Sequence, residues 1–303
     1  MIISYEGKDI YPEVGVNRCC YDTYCGGRPD TLEIVFNDSS ELWDGWSPEI
    51  GAAISAKQDN MDTGRMFVYS FAPENGLYTL RARSAPESIY ERRTKSYEKV
   101  RFIDLLSEAA GRNDLTLDTY NVSNNLYGYV EQRGLSDAQL LQSRCMLEGY
   151  GLIISDGKLI VYDELSLENQ TPAATLDVVK ADDFYYTDND TDYYGSCELT
   201  NGKYTGTYSA GSGRTLKRRC NLYAESDGEM IRYARGVLRN ECKSRKTCVY
   251  DGRQLYDGIA AGSVVSLETI GAESWDGPAF VTHVRHDFVF MLSKIEARKP
   301  LGW

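Results

Sequence analysis

The sequence predicts a mainly β chain of the α+β class, organised in three segments: residues 1–85, 86–166 and 167–303. The first and last segments contain short strand-like runs separated by turn signals, as in sandwiches and small barrels. The middle segment instead carries apolar residues at helical spacing. A chain of 303 residues is long enough for two or three hydrophobic cores.

Strand signals dominate the first segment. Apolar and polar residues alternate from Thr31 to Phe36, and a turn-like stretch, 37–40, follows. Asn75-Gly76 is the strongest short-range signal for a two-residue hairpin. The predicted strands are 31–36, 52–57, 65–71 and 77–82.

The middle segment changes period. Phe102, Leu105, Leu106 and Ala109 fall on one face of a helix, and Gly111 is predicted to end it. An extended stretch at 127–133 follows. This order predicts a compact α+β module.

A second helix is predicted to begin at Ser136, because Ser136 and Gln139 form a capping box. Gly149 or Gly151 is predicted to end it, and Asp156-Gly157 to turn a β-hairpin that reaches Tyr162.

The third segment returns to strands, with one helix opened by a capping box of Ser226 and Glu229. Because the first and third segments are both β-rich, we expect that they are related barrels. The predicted strands are 184–186, 195–200, 203–209, 247–250, 263–267 and 279–286.

The charge distribution argues against duplex nucleic acid as the main partner. The net charge is −12, and binding DNA needs clustered positive charge. Residues 163–192 contain nine carboxylates against only Lys180. We expect this block to orient assembly or to repel a polyanion, or to form an ordinary solvated face.

The eight cysteines do not indicate a metal site or a disulfide framework. Their positions lack paired Cys-x-x-Cys spacing, and the start of the chain has no signal-peptide pattern. We therefore expect reduced, strand-embedded cysteines, no cofactor and a chain kept in the cytoplasm unless a particle exports it. No apolar run is long enough to predict membrane insertion. The cysteines are at 19, 20, 25, 145, 197, 220, 242 and 248.

Patterns that suggest chemistry are incomplete. Asp188, Asp190 and Asp192 begin a calcium-loop pattern, but the required Gly and Glu are missing. The run 211–217 lacks the Gly-Lys-Ser/Thr of a phosphate loop and is interpreted as a flexible loop. His283 and His286 point to opposite faces of a strand and are expected to be structural. We predict no catalytic, cofactor-binding or metal-binding residue.

Two other classes of function stay open. A pair among the 45 acidic residues would suit a peptidoglycan hydrolase, although no motif identifies one. The aromatic content, including Trp43, Trp46 and Trp275, would suit a glycan- or receptor-binding β protein. Each of these tryptophans is equally compatible with a core position.

The order and spacing of several features carry a family resemblance. In the middle segment these are Arg93-Thr94-Lys95-Ser96-Tyr97, the helix from 102, Tyr129-Val130-Glu131-Gln132, Ser136-Asp137, Leu140-Leu141 and Gly149-Tyr150-Gly151-Leu152. Outside it they are Trp46, Pro48, Glu49 and Gly51, the run 63–68, the helix after Ser226, and the runs 262–265 and 276–286. Together they resemble the phage late control D proteins, the baseplate hubs of contractile tails. The pattern is most similar to hubs of Gram-positive prophages and tail-like bacteriocins.

The resemblance implies a non-enzymatic structural protein in the baseplate of a phage or phage-tail-like particle, assembled in the bacterial cytoplasm. It implies two tail-tube-type β-barrel domains, at 1–85 and 167–303, with a small inserted α+β domain at 86–166 and strand exchange between the barrels. It also implies a homotrimer that joins a hexameric tail tube, or its initiator, to a trimeric spike beside other baseplate proteins.

Overall fold

The computed structural model describes residues 1–189 and 193–303, and only the backbone of residue 44. Strands predominate, and none of the helices in these ranges is both long and apolar enough to cross a bilayer. The first segment contains β1 (Ile2–Tyr5), β2 (Lys8–Asp9), β3 (Gly15–Tyr24), β4 (Thr31–Asn37), α1 (Leu42–Trp46), β5 (Ala53–Gln58), β6 (Met61–Asp62), β7 (Met66–Glu74) and β8 (Leu77–Arg83).

The rest of the chain continues the mainly β pattern. The middle segment contains β9 (Arg92–Arg101), α2 (Phe102–Arg112), β10 (Thr116–Tyr120), β11 (Leu126–Ser136), α3 (Asp137–Glu148), β12 (Tyr150–Ser155), β13 (Lys158–Asp163) and α4 (Glu164–Glu168). The last contains β14 (Ala174–Val179), β15 (Phe184–Asp188), β16 (Tyr194–Thr200), β17 (Thr205–Ser209), β18 (Arg214–Arg219), α5 (Asp227–Cys242), β19 (Lys246–Asp251), β20 (Val264–Ile270), β21 (Gly277–Asp287) and β22 (Leu292–Arg298).

The first and last segments share one large sheet, whose main path is β15-β19-β22-β21-β3-β4-β8-β7-β5-β1-β2. β20 pairs with β21 and with β14 beside this path. Between the described strands at its ends, β15 and β2, the ladder does not close. The two segments meet where β3 pairs antiparallel with β21.

The sheet contains the same strand order twice. The first arc is β3-β4-β8-β7-β5-β1, and the second arc is β15-β19-β22-β21-β20-β14. When the six strands of each arc are numbered in chain order, both arcs have the order 2-3-6-5-4-1 across the sheet. Neighbours are antiparallel in both arcs except at the last pair, where β14 and β20 are parallel and β1 and β5 antiparallel.

Each arc covers its own buried cluster. Leu32, Ile34 and Phe36 are central to the first, and Val265, Val281 and Ile295 to the second. Every one of these side chains is at most 2% exposed. Burial on this scale supplies the main favourable free energy of folding, so each arc has a core of its own.

The remaining elements pack around a third buried cluster. It includes side chains from α2, α3 and β11, and also from residues 197–242 of the last segment. Helices α3 and α5 approach closely where Gly236 faces the backbone of Leu147; a Cβ on Gly236 would lie 2.2 Å from the Leu147 carbonyl oxygen. The stretch 197–242 therefore shares its core with the middle segment.

Most local predictions are confirmed. Ser136 accepts a hydrogen bond from the Gln139 N–H, and the Gln139 side chain accepts one from the Ser136 N–H. Gly149 ends that helix with φ of 76°, and Asp156-Gly157 turns the β12–β13 hairpin with both φ values positive. The predicted end of α2 at Gly111 is wrong, because the helix continues to Arg112 and is capped at Asn113.

Candidate assembly interface

The two arcs agree in detail as well as in strand order. A β-bulge interrupts the fifth strand of each, at Tyr69 in β7 and at Thr282 in β21. Before the bulge, the Val68 carbonyl accepts the Gly51 N–H and the Val281 carbonyl accepts the Gly262 N–H. Bulges are structural features rather than defects, so their shared position defines a common register.

That register reveals a sequence likeness between β8 and β22. Leu77–Arg83 and Leu292–Arg298 align without a gap and share Leu, Ala and Arg at their first, sixth and seventh positions. The partner strands keep the register, since Arg83 lies opposite Thr31 and Arg298 lies opposite Thr247. The second arc is therefore a structural repeat of the first.

The junction between the arcs is held by a charged cluster on one face. Arg285 Nε and Nη2 each lie 3.0 Å from an oxygen of Asp22, and His283 Nε2 lies 2.7 Å from Asp22 Oδ1. Burial raises the pKa of the Asp22 carboxyl, but these hydrogen bonds outweigh burial, and the pKa is lowered. Asp22 is therefore an ionised buried anchor.

Aromatic contacts support the same junction. The Tyr24 and His283 rings stack at 4.5 Å, and Tyr21 and His286 stack at 6.2 Å. Burial lowers the pKa of His286 to about 4, so this ring is neutral at pH 7, and its Nδ1 lies 2.8 Å from Ser293 Oγ. Both histidines are structural parts of the junction, and their side chains differ in exposure as their spacing predicts.

Part of a main-chain edge on each arc is not paired with any strand of the described residues; at the β15 edge only Phe184 is bridged, to residues 180–181. β5 pairs with β7 only at Met66 and Phe67, so the outer half of β7 is open on that side. β15 lies at the end of the sheet and pairs only with β19 among the named strands. Open edges of this kind are templates for pairing with another chain.

An exposed apolar stretch adds a second candidate contact surface. Leu42 is 64% exposed, Ile50 63% and Trp46 42%, whereas Trp43 and Trp275 are buried. Of the three tryptophans for which both core and interface were open, Trp43 and Trp275 are therefore core residues and Trp46 is a candidate interface residue. Exposed aromatics are common anchors at interfaces.

A buried ion cluster connects the middle segment to the second arc. Glu168 Oε1 lies 2.8 Å from Arg239 Nη2 and 2.7 Å from Arg298 Nη2, while Oε2 accepts the N–H groups of Leu301 and Gly302. Burial raises the pKa of Glu168, but the two arginines outweigh it and the pKa is lowered.

A cleft of about 700 Å³ lies beside this cluster, bounded by α3, α5 and β21. Its charged groups bond to one another or to the cluster: Lys243 to Glu164, and Arg298 to Glu168. They serve the packing of the elements around the cleft.

Four carboxylates of the acidic block 163–192 have structural roles within the chain. Glu164 and Glu168 are buried in ion pairs, and Asp163 caps α4 by accepting the Ser166 N–H. Asp183 is buried and accepts the Val179 N–H. Asp177, Asp182 and Asp188 of the same block are exposed, and Asp190 and Asp192 lie outside the described residues, so the expectation for the rest of the block stays a prediction.

The calcium-loop pattern falls partly outside the described residues. Asp190 and Asp192 are not described, and Asp188 pairs with Lys246 at 2.6 Å. No group of three or more metal-ligating side chains occurs within residues 1–189 and 193–303. That the chain has no catalytic, cofactor-binding or metal-binding residue therefore stays a prediction.

The stretch 211–217 is not a flexible loop throughout, so that expectation is wrong from Arg214 onward. Arg214–Arg219 forms β18, which pairs parallel with β16. Leu216 is buried there, and Arg218 pairs with Glu241 at 2.8 Å. A single buried Leu among basic residues gives little strand signal.

The cysteines are free thiols, and six of the eight are buried. Cys19, Cys20, Cys197 and Cys248 are embedded in strands as predicted. Cys145 and Cys242 lie instead in helices, while Cys25 and Cys220 lie outside the named elements.

Sequence comparison identifies no relatives: neither a protein-family model nor a curated protein matches the chain. Solved structures do match. The 43 kDa tail protein of prophage MuSo2 from Shewanella oneidensis has a TM-score of 0.74 and 9% identity, over 99% of this chain and 98% of its own. A tail protein from Neisseria meningitidis MC58 has a TM-score of 0.71 and 13% identity over the same shares of the two chains.

A third similar structure is the E. coli c3393 protein, a type VI secretion component with structural similarity to the T4 tail proteins gp27 and gp5. Its TM-score is 0.62 at 9% identity, over 98% of this chain and 76% of its own. At such identities the likeness shows the fold alone. The chain therefore has the fold of these phage tail and secretion proteins.

Proposed function

We propose that this protein is a structural, non-enzymatic baseplate hub of a contractile phage tail or phage-tail-like particle. In this role a homotrimer joins a hexameric tail tube, or its initiator, to a trimeric central spike. The observation that carries the proposal is the repeated arc, because three copies of a chain with two equivalent arcs present six equivalent units.

The symmetry argument is physical. A trimeric spike and a hexameric tube contain different numbers of subunits. An adaptor between them must therefore present a threefold surface to the spike and a near-sixfold surface to the tube. Two arcs with the same strand order, bulge and register provide this within one chain. The fold shared with tail proteins supports the same role.

We further propose that each arc belongs to a barrel of the tail-tube type, at 1–85 and 167–303, with strand exchange through β3 and β21. The second barrel would be interrupted by residues 193–242, which share a core with the inserted module at 86–166. We assign the chain to hubs of the late control D type, from a Gram-positive prophage or tail-like bacteriocin, acting beside other baseplate proteins.

The mass of the protein in solution, alone and with its spike protein, tests this proposal. Light scattering should give three times the chain mass of 34.1 kDa, and negative-stain images should show a ring with near-sixfold outer features. A monomer that persists at high concentration both with and without the spike would overturn the hub proposal.

The same sample separates the two alternatives. A peptidoglycan hydrolase would release reducing sugars or peptide amines from purified cell walls, and a glycan-binding protein would bind wall polysaccharide at micromolar affinity. We expect neither result from the trimer.

A further inference from the structure

We propose that neighbouring copies of this chain are joined by antiparallel pairing of β7 from one copy with β15 of the next, in the register of the internal β3–β21 junction. This inference rests on the proposed trimeric hub and names the contact that builds it. The structure shows this kind of junction once, within the chain, and we infer a second one between chains.

The equivalence of β7 and β21 follows from their bulges. Val68 precedes one bulge and Val281 the other, and both are fifth strands of their arcs. Residues of β7 therefore correspond to residues of β21 one for one, with Ala72 equivalent to Arg285 and Pro73 to His286.

The equivalence of β3 and β15 follows through their partner strands. Tyr21 lies opposite Leu32, which lies opposite Ala82 of β8. Tyr186 lies opposite Cys248, which lies opposite Ala297 of β22. Since Ala82 and Ala297 are equivalent, Tyr186 corresponds to Tyr21 and Thr187 to Asp22.

The internal junction then defines the register between copies. Within the chain, Arg285 lies opposite Asp22 and His286 opposite Tyr21. The equivalent pairs between copies are Phe71 with Asp188, Ala72 with Thr187, Pro73 with Tyr186, and Glu74 with Tyr185. With three copies, three internal junctions alternate with three junctions between chains.

Both edges are suited to this contact. Tyr185 is 50% exposed and Tyr186 is 36% exposed, and both lie in β15 at the end of the sheet. Glu74 and Leu77 flank the Asn75-Gly76 turn as a hydrogen-bonded pair, so the main chain of Phe71 and Pro73 points to the open edge. Pro73 cannot donate to the ladder, so in this register the pairing rests on the main-chain groups of Phe71 and Asp188 and on the Pro73 carbonyl, which would accept the Tyr186 N–H.

The side chains at the register also match. The Asp22–Arg285 ion pair of the internal junction is replaced by Thr187 and Ala72, so no charge has to be buried unpaired between copies. Pro73 would lie over Tyr186, as His286 stacks on Tyr21. At the position of the internal ion pair the contact between copies is therefore uncharged; the carboxylates of the register are Glu74 and Asp188, and Asp188 pairs with Lys246 of its own chain.

Disulfide trapping tests the register. The Phe288 N–H donates to the Cys19 carbonyl, so Phe288 and Cys19 form a hydrogen-bonded pair. Hydrogen-bonded and non-hydrogen-bonded pairs alternate along an antiparallel ladder, and Arg285–Asp22 is the third pair from Phe288–Cys19. Arg285 and Asp22 therefore form a non-hydrogen-bonded pair. The Cα atoms of such pairs lie about 4.5 Å apart, within the range that a disulfide spans. Mild oxidation of the double variant Ala72→Cys/Thr187→Cys should give covalent dimers and trimers on non-reducing gels, and no larger species.

The control is Ala72→Cys/Asp188→Cys, in which the second cysteine points to the opposite face of the strand. This pair and the single variants, which retain the eight native cysteines, should stay uncrosslinked. A trimer by light scattering without crosslinking of Ala72→Cys/Thr187→Cys would overturn the proposed register and leave the hub proposal standing. A monomer without crosslinks at any concentration would overturn both.

Discussion

Asp30 is a carboxylate at the start of β4 that the fold almost completely buries, leaving 2% exposed. Its Oδ1 accepts the Tyr24 N–H at 2.9 Å and its Oδ2 the Tyr21 hydroxyl at 3.1 Å. Burial outweighs these hydrogen bonds and raises the pKa of Asp30 to about 6. Folding therefore makes protonation of Asp30 more favourable than it is in the unfolded chain, next to the junction between the arcs.

The pH dependence follows from the sign of that shift. Because the folded pKa lies above the unfolded one, the contribution of Asp30 to stability is complete below about pH 4 and is lost as pH rises through 6. Asp30→Asn keeps an acceptor for Tyr24 without ionising. We expect it to gain about 2 kcal/mol of unfolding free energy over the native chain between pH 4 and pH 8, measured by urea unfolding.

The control for this experiment is Asp177→Asn, at an exposed position of β14. It should follow the native chain at both pH values. An Asp30→Asn variant whose stability changes with pH exactly as the native chain does would refute the interpretation of Asp30.

At the scale of elements, the chain terminus is fastened to the fold through β22. Arg298 is buried and reaches Glu168, and Glu168 in turn binds the backbone of Leu301 and Gly302. The equivalent residue of the first arc, Arg83, pairs instead with Glu87, whose side chain is 80% exposed. The equivalent arginines therefore pair with an exposed carboxylate in the first arc and with a buried one in the second.

This difference predicts unequal costs for the same substitution. Arg298→Met should lower the free energy of unfolding by about 3 kcal/mol, since it removes one partner of a buried carboxylate. Arg83→Met should cost at most about 1 kcal/mol, as for exposed pairs. Chemical denaturation measures both, and equal losses would contradict the assignment of Glu168 as a buried anchor.

At the scale of the whole molecule, the repeat allows the same kind of antiparallel strand pairing to join the arcs within a chain and, as proposed, to join neighbouring chains. The β3–β21 junction closes within a chain, and its proposed counterpart closes between chains. A ring built from both removes the open edges that would otherwise template unlimited pairing.

A charge placed on the proposed edge should therefore block assembly without unfolding the chain. Thr187 is exposed, so Thr187→Lys should reduce the trimer to a monomer while unfolding free energy changes by no more than about 0.5 kcal/mol. Thr207→Lys, at an exposed position of β17, is the matched control and should remain trimeric. Light scattering and thermal unfolding report the two quantities, and a trimeric Thr187→Lys would place the contact elsewhere.

Local chemistry determined much of this protein from its sequence. The capping residue Ser136, the turn Asn75-Gly76 and the turn Asp156-Gly157 act over a few residues, so their patterns predict structure directly. Gly111 misled the prediction because a glycine inside a helix costs only about 1 kcal/mol, which packing of the apolar face of α2 overcomes.

Only the tertiary structure decided how the arcs meet. The strand β3 shows no alternation, because its last six residues, 19–24, are all buried where the arcs join. Asp22 and Arg285, 263 residues apart, gain their roles only when β3 lies beside β21. Pairing partners and register depend on non-local packing rather than on local preference, and so the repeat, the junction and the open edges became visible only in the folded chain.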